Sequence, residues 1–367
     1  MHLGFVYESN PLAPQKLYNL CYGSRKVKVF LRFIAMLAVL IQSGVTYSHA
    51  GVVTFGTGAN QFQMEFVTIG NPGNAADTGG FGFIDPRGAG GIGYTYSMGK
   101  FEVSREMVEK YNAEYGISSN RVIGLADMTP YGGNGPNKPA TNVNWNEAAQ
   151  FVNWLNISTG NAPAYKFTTN QITDISLWEP SDTLDYDPTN LYRSKRTKYV
   201  LPTCSEWYKA AYYNPITQNY HFYPNGSETP PISVASGTTN NTAVYGEASL
   251  VGPADTTQSG GLSPYGVMGL GGNVYEWDES STDLNNSSGD APRGIRGGAW
   301  SVSAERMSSY YGRLVHTVPP GFETHFIGFR VAMLSPAPSG EVPEPSMMVI
   351  GTLFGLGGLL AKRRIKR

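Results

Sequence analysis

The sequence predicts an α+β domain, with two or three helices set among many short strands and long loops. Three observations carry this. Capping boxes open two segments that go on with helical spacing of apolar residues. Residues 214–300 are broken by Gly, Pro, Asn and Ser at short intervals, so only brief strands fit there. Among 367 residues, 44 Gly and 24 Pro with only 15% charged side chains exclude a helix bundle or coiled coil. The 41% hydrophobic and 12% aromatic content excludes a disordered chain and leaves enough apolar material for a sizeable core.

Taken in chain order, the first element is an address label. Residues 25–50 read RKVKVFLRFIAMLAVLIQSGVTYSHA, a basic start, an apolar run over residues 33–41 and a small-residue end. This predicts a secretory signal peptide cleaved after Ala50; the alternative is a buried apolar element. The 24 residues before Arg25 are long for such a signal and point to a start codon further downstream. Residues 51–335 form the body. Its stretch 70–93, rich in Gly, Asn and Asp, reads as loop. A helix is expected to start near Ser104, with Met107, Val108 and Tyr111 on one face. A second starts at Asn144, where Asn144 and Glu147 make a capping box before the stripe Ala148, Phe151, Val152, Leu155. Residues 157–198, with Trp178 and several Tyr and Asp, form either a variable recognition loop or a packing insert. A third helix follows Thr203, whose box partner is Glu206, with Trp207, Ala210 and Ala211 facing inward. No repeat of 20–50 residues is visible.

Residues 336–367 end in VPEPSMMVIGTLFGLGGLLAKRRIKR. Residues 347–361 are uncharged and precede a dense basic end, which stays cytoplasmic by the positive-inside rule. As a helix they span about 22 Å at ~1.5 Å per residue, short of a ~30 Å hydrocarbon core. The arrangement resembles a PEP-CTERM sorting tail: Pro343-Glu344-Pro345, a short apolar helix, then an Arg-rich end. The resemblance implies an exosortase-type sorting protease as partner and cleavage near Pro343, Glu344 and Pro345. It further implies transient anchoring in the inner membrane, then display at the outer surface or in an exopolysaccharide matrix. The alternative is a simple tail anchor.

The two ends hold ten of the 27 Lys and Arg and one of the 28 Asp and Glu, so residues 51–361 carry a net charge of −10. An acidic body without a basic patch excludes nucleic acid as a partner. There are two cysteines, Cys21 and Cys204. Removal of the leader leaves one thiol, which excludes an intrachain disulfide, a multi-cysteine zinc site and a CxxC redox motif. No Gly-x-Ser-x-Gly, P-loop or zinc motif is present, and Asp182, Asp185 and Asp187 read as a solvated loop.

Seven segments, in order, resemble the formylglycine-generating enzyme, or sulfatase-modifying-factor, family over about residues 60–333. They are Tyr96-Ser-Met-Gly-Lys-Phe-Glu-Val-Ser104; Pro139-Ala-Thr-Asn-Val-Asn-Trp145 running on to Asn153-Trp154-Leu155; and Leu201-Pro-Thr-Cys-Ser-Glu206-Trp207. Next come Tyr223-Pro-Asn-Gly226 and Gly271-Gly-Asn-Val-Tyr-Glu276-Trp277, and Arg296-Gly-Gly-Ala-Trp300 and Ile327-Gly-Phe-Arg330 close the series. The resemblance implies a C-type-lectin-like fold with a twisted antiparallel core. Read from the residues themselves, Trp145, Trp154, Trp207, Trp277 and Trp300 fill a core. Gly297, Gly298 and Gly328 supply tight backbone conformations, and Arg330 can pair with Glu276 inside the domain.

The family's catalysis uses two cysteines after Arg-Gly-Gly-Ser-Trp to bind copper and activate oxygen on a substrate cysteine; soft thiolates suit copper(I). By spacing, those positions are Val302 and Met307 here, and the family serine is Ala299, so no copper is expected. A relative's three-histidine iron site is not expected either, since only His221, His316 and His325 follow residue 50 and none form a His-x-x-x-His pair. Cys204 as a nucleophile would need a base, and His221 is the nearest in sequence. The resemblance also implies a structural calcium site, with the Glu276 carboxylate and the carbonyls of Gly272 and Val274 as ligands. Its remaining Asn or Asp ligand falls on Gly269, which has no side-chain oxygen to supply.

The expected function is binding: an exported lectin-like domain recognising a polysaccharide or an envelope protein. A divergent oxidase acting on an exported protein and a purely structural matrix component are the rivals.

Overall fold

The computed structural model describes residues 49–79, 88–168, 175–246, 251–281, 285–313 and 316–335. The leader before residue 49 and the sorting tail, with Pro343, Glu344, Pro345 and the apolar stretch 347–361, lie outside the described residues. The first strand starts at His49, so cleavage after Ala50 would remove its first two residues.

Nine strands make two sheets: β1 His49–Phe55, β2 Phe62–Ile69, β3 Tyr96–Gly99, β4 Tyr199–Val200, β5 Tyr275–Ser281, β6 Arg293–Arg296, β7 His316–Val318, β8 Ile327–Gly328 and β9 Ala332–Leu334. The first sheet runs β1-β2-β3-β9-β4 and is antiparallel throughout, with Ala332 facing Met98 on one side and Val200 on the other. The last strand of the domain therefore sits between its third and fourth, which ties the end of the body to its beginning. The second sheet runs β7-β6-β5-β8. In it Trp277 faces Ile295 across an antiparallel pair, while β5 and β8 are parallel, with Tyr275 opposite Ile327. That one parallel pair departs from the expected antiparallel core. The long excursion between the two strands supplies the crossover that a parallel pair needs.

All three expected helices form where their caps place them. Helix α1, Arg105–Tyr111, has Ser104 as its N-cap, whose hydroxyl accepts the Met107 N–H. It buries Val108 and Tyr111, and Met107 is half-buried at the edge of that face. A π turn at Asn112–Gly116 and a last turn at Ile117–Ser119 carry the chain to Asn120, which closes it in the left-handed region. Helices α2, Trp145–Ser158, and α3, Cys204–Tyr212, both show the complete reciprocal box, Asn144 with Glu147 and Thr203 with Glu206. Ala148, Phe151, Val152 and Leu155 of α2 and Trp207, Ala210 and Ala211 of α3 are fully buried.

The core is aromatic. Trp145, Trp207 and Trp277 are fully buried, and Trp154 and Trp300 nearly so. Three of the indole N–H groups find backbone acceptors or a carboxylate: Trp145 donates to Asp278 O (2.9 Å), Trp277 to Val143 O (2.8 Å) and Trp207 to Glu276 Oε2 (2.7 Å). The described part of the 157–198 segment packs into this core. Tyr165 and Tyr192 are fully buried, and Trp178 is nearly so, with its indole N–H on Ala164 O. Asp182 and Asp185 of the same segment pair with Lys166 (2.7 Å) and Arg196 (2.9 Å), and Asp187 caps a turn at Thr189. Two glycine positions are fixed by backbone demands. Gly298 has φ +77°, and a Cβ at Gly328 would stand 2.6 Å from Ala140 O.

Candidate functional site

Strand β5 lies in the second sheet, and its seven residues Tyr-Glu-Trp-Asp-Glu-Ser-Ser are all buried. At seven residues β5 is longer than the brief strands expected in this region, and burying three carboxylates on it conflicts with the cost of an unmatched charge. The tertiary structure resolves the conflict by matching each carboxylate with a guanidinium brought from elsewhere in the chain. Glu276 pairs with Arg330 just after β8, Asp278 with Arg296 of β6 (2.6 Å), and Glu279 with Arg193 (2.9 Å). Arg193 also makes a two-pronged bond to Glu206 of α3, at 3.1 and 3.0 Å, so the N3 residue of a capping box doubles as half of a buried ion pair. Burial acts to raise the Glu206 carboxyl, but the Arg193 charge overrides it and holds the group below its ordinary value.

The Glu276 neighbourhood is the site to which the sequence assigned calcium. Its Oε2 accepts from Trp207 Nε1 (2.7 Å) and Arg330 Nε (2.6 Å), and its Oε1 accepts from Arg330 Nη2. Arg330 spends its other donors on Gly99 O and Met268 O, both at 2.9 Å. Gly272, at φ +85°, donates its N–H to Gly297 O (2.8 Å). Glu102 is a fully buried carboxyl beside the pair. A carboxylate already balanced by a buried guanidinium and accepting from two side chains is a poor anchor for a divalent cation. Gly269 adds no side-chain oxygen, and the Glu276 carboxylate as folded is a poor fit for calcium. Among the described residues no group of three or more His, Cys, Asp or Glu is placed to hold a metal ion.

Two residues that sequence reasoning passed over organise this region. Asn273, in the left-handed region at φ +59° and fully buried, accepts the Ala254 N–H (2.8 Å) and donates to Glu102 Oε2 (2.7 Å). Its carbonyl takes the Trp300 N–H (2.8 Å). Asn tolerates this conformation better than most side chains, and a Gly-Gly-Asn run was the available signal. Glu102 Oε1 has no hydrogen-bond partner among the described residues. Burial first, and the Glu276 charge second, push this carboxyl up to about 8.

The segment after Gly298 places its two key side chains in apolar packing. Val302 is half-buried against the main core, and its carbonyl accepts the Gly246 N–H (3.0 Å). Met307 is fully buried in a separate small cluster with Tyr223 and Ala243. Ala299 is fully buried. Cys204 opens α3 as a half-buried thiol, with its N–H on Ser280 Oγ (3.0 Å). His221 is not available to it as a base, because its ring nitrogens are taken by Glu228 (2.9 Å) and Asn214 (3.3 Å).

Beside this segment lies a run of aromatic rings drawn from separate loops. Tyr131 and His325 stack face to face, 4.5 Å apart with 4° between planes, and the Trp300 ring stands 5.4 Å from Tyr131. Phe326 meets His325 edge-on at 5.2 Å. Nothing in the sequence links position 131 to position 325. Only the fold brings them together.

A family model for the FGE-sulfatase, or sulfatase-modifying factor enzyme 1-like, domain matches residues 61–334. No curated protein sequence matches the chain. Among solved structures, Treponema denticola variable protein 1 is 21% identical, with 77% of this chain and 99% of that chain covered at a TM-score of 0.47. CarF is 22% identical over 66% of this chain and 87% of its own, at a TM-score of 0.47. PvdO from Pseudomonas aeruginosa is 17% identical over 77% and 98%, at a TM-score of 0.45. With an α+β, C-type-lectin-like architecture and a family match over most of its length, the chain belongs to the sulfatase-modifying factor enzyme 1-like family.

Proposed function

We propose that this chain is an exported, surface-linked member of its family whose domain binds a polysaccharide or an envelope protein and does not oxidise a substrate. One observation carries the reading. By spacing from Gly297 and Gly298, the positions that the family resemblance gives to the copper-binding cysteines are Val302 and Met307, and both side chains are spent on apolar packing. Valine has no donor atom, and a single thioether sealed between Tyr223 and Ala243 offers a metal neither a second ligand nor an approach. Export rests on the sequence at both ends of the chain: the leader ending at Ala50, and the Pro343-Glu344-Pro345 tail that suits an exosortase-type sorting protease. On this reading the chain passes through the inner membrane and ends at the outer surface or in the matrix.

The test is retention of the full-length chain, in mild detergent, on the host's purified exopolysaccharide with and without a calcium chelator. The expected result is retention in both conditions, because the Glu276 pair needs no cation. Copper-dependent oxidation of a cysteine peptide by the same preparation, without retention, would restore the oxidase and remove the binding reading.

A further inference from the structure

The aromatic run beside residues 299–307 has three properties that together specify a ligand. Its rings are accessible from outside: Tyr131, His325 and Phe326 are half-exposed, and Phe322 in the same loop is 42% exposed. The ring edges also carry polar groups that no other described residue uses. Neither the Tyr131 hydroxyl nor a ring nitrogen of His325 is hydrogen-bonded to another described residue, although Tyr131 and His325 lie flat on each other and are held in place by Trp300. Finally, the surroundings are acidic. Segments 127–133, 299–307 and 319–327 contain Asp127, Glu305 and Glu323 against a single cation, Arg306.

Each property excludes a class of partner. Flat rings with unclaimed hydroxyl and imidazole edges match a ligand that is itself two-sided, with C–H faces to stack and hydroxyls to bond. A hydrocarbon chain or a lipid surface would leave those polar edges dry and unsatisfied. Three carboxylates against one arginine disfavour an anionic polymer, and the −10 net charge of residues 51–361 adds to that repulsion. Sugar rings without uronate, sulfate or phosphate satisfy all three conditions.

We infer that Tyr131, Trp300 and His325 form the floor of a binding site for neutral polysaccharide, with Phe322 and Phe326 at its rim. The inference rests on the binding function proposed above and assigns it a place and a ligand class. A hexose ring lies over the exposed aromatic faces, and its hydroxyls exchange hydrogen bonds with Tyr131 Oη and a His325 nitrogen. No charge takes part, so the interaction is insensitive to salt.

The experiment compares the full-length chain and its variants on beads of neutral glycans (β-glucan, mannan) and acidic ones (alginate, pectate), at low and high salt, alongside the host polysaccharide. Wild type is expected to be held by at least one neutral glycan at either salt and by neither acidic one. Tyr131→Ala and His325→Ala are each expected to weaken retention about tenfold or more, the loss typical of truncating an aromatic anchor. Tyr131→Phe keeps the ring and the turn, and is expected to retain most of the binding. It thereby separates loss of the ring from loss of the fold, which near-ultraviolet circular dichroism checks in every variant. Undiminished retention of the Tyr131→Ala, His325→Ala double variant would overturn the site while leaving the binding function standing. Retention on the acidic glycans alone would overturn the ligand class. A wild-type chain held by no glycan, the host's included, would remove polysaccharide binding altogether and turn the patch to a protein partner.

Discussion

Glu102 shows what a single side chain can impose on the whole domain. It is buried beside the Glu276–Arg330 pair, with one oxygen bonded to Asn273 and the other without a partner among the described residues. Its carboxyl is raised from its ordinary value of 4.5 to about 8, and burial likewise raises Glu147 to about 7. The folded chain thus keeps protons that the unfolded chain has released, and stability falls as pH rises from about 4.5 to about 8. Glu102→Gln keeps an acceptor for Asn273 and cannot ionise. Thermal melts across this range are expected to show a shallower loss for the variant, with its midpoint roughly a few degrees above wild type at the alkaline end. Parallel curves for the two proteins would show that Glu102 does not titrate in the window.

At the scale of elements, the helices and the charged strand depend on different physics. Helices α2 and α3 are started by local chemistry, each cap satisfying backbone N–H groups that the first turn leaves open. Asn144→Ala and Thr203→Ala are each expected to cost about 1 kcal/mol in denaturant unfolding. Strand β5 is held by distant partners. Arg193→Ala leaves Glu206 and Glu279 facing each other without their cation, and is expected to cost about 3–5 kcal/mol. A cost no larger than that of a cap would show that water reaches the pair and that its burial is not complete.

The molecule as a whole is closed by β9, which lies between β3 and β4 and brings the last described strand into the first sheet. Arg330 sits just before it and joins Gly99 of β3, Met268 and Glu276 in one network. This internal cation already balances the Glu276 carboxylate, the group that the family resemblance implied as a calcium ligand. Melting of the intact protein is therefore expected to be unchanged by a chelator, and Glu276→Gln to lower the midpoint equally with and without calcium. A chelator-dependent drop that Glu276→Gln abolishes would place a cation at this carboxylate after all.

Much of the fold is legible in the sequence because its signals are local. Ser104, Asn144 and Thr203 each cap a helix within three residues of themselves, and the apolar stripes of α2 and α3 name their own buried faces. The seven ordered motifs likewise carried the family. The site was legible only in part. The Glu276–Arg330 pair could be anticipated from opposite charges in a loop-rich interior. The Asp278–Arg296 and Arg193–Glu279 pairs, the Asn273–Glu102 bond and the Tyr131–His325 stack join residues far apart in the chain. Composition and periodicity describe a residue by its neighbours in sequence, so they cannot say which guanidinium meets which carboxylate. That assignment is made by the sheets, because a buried charge is tolerated only where the fold delivers its partner.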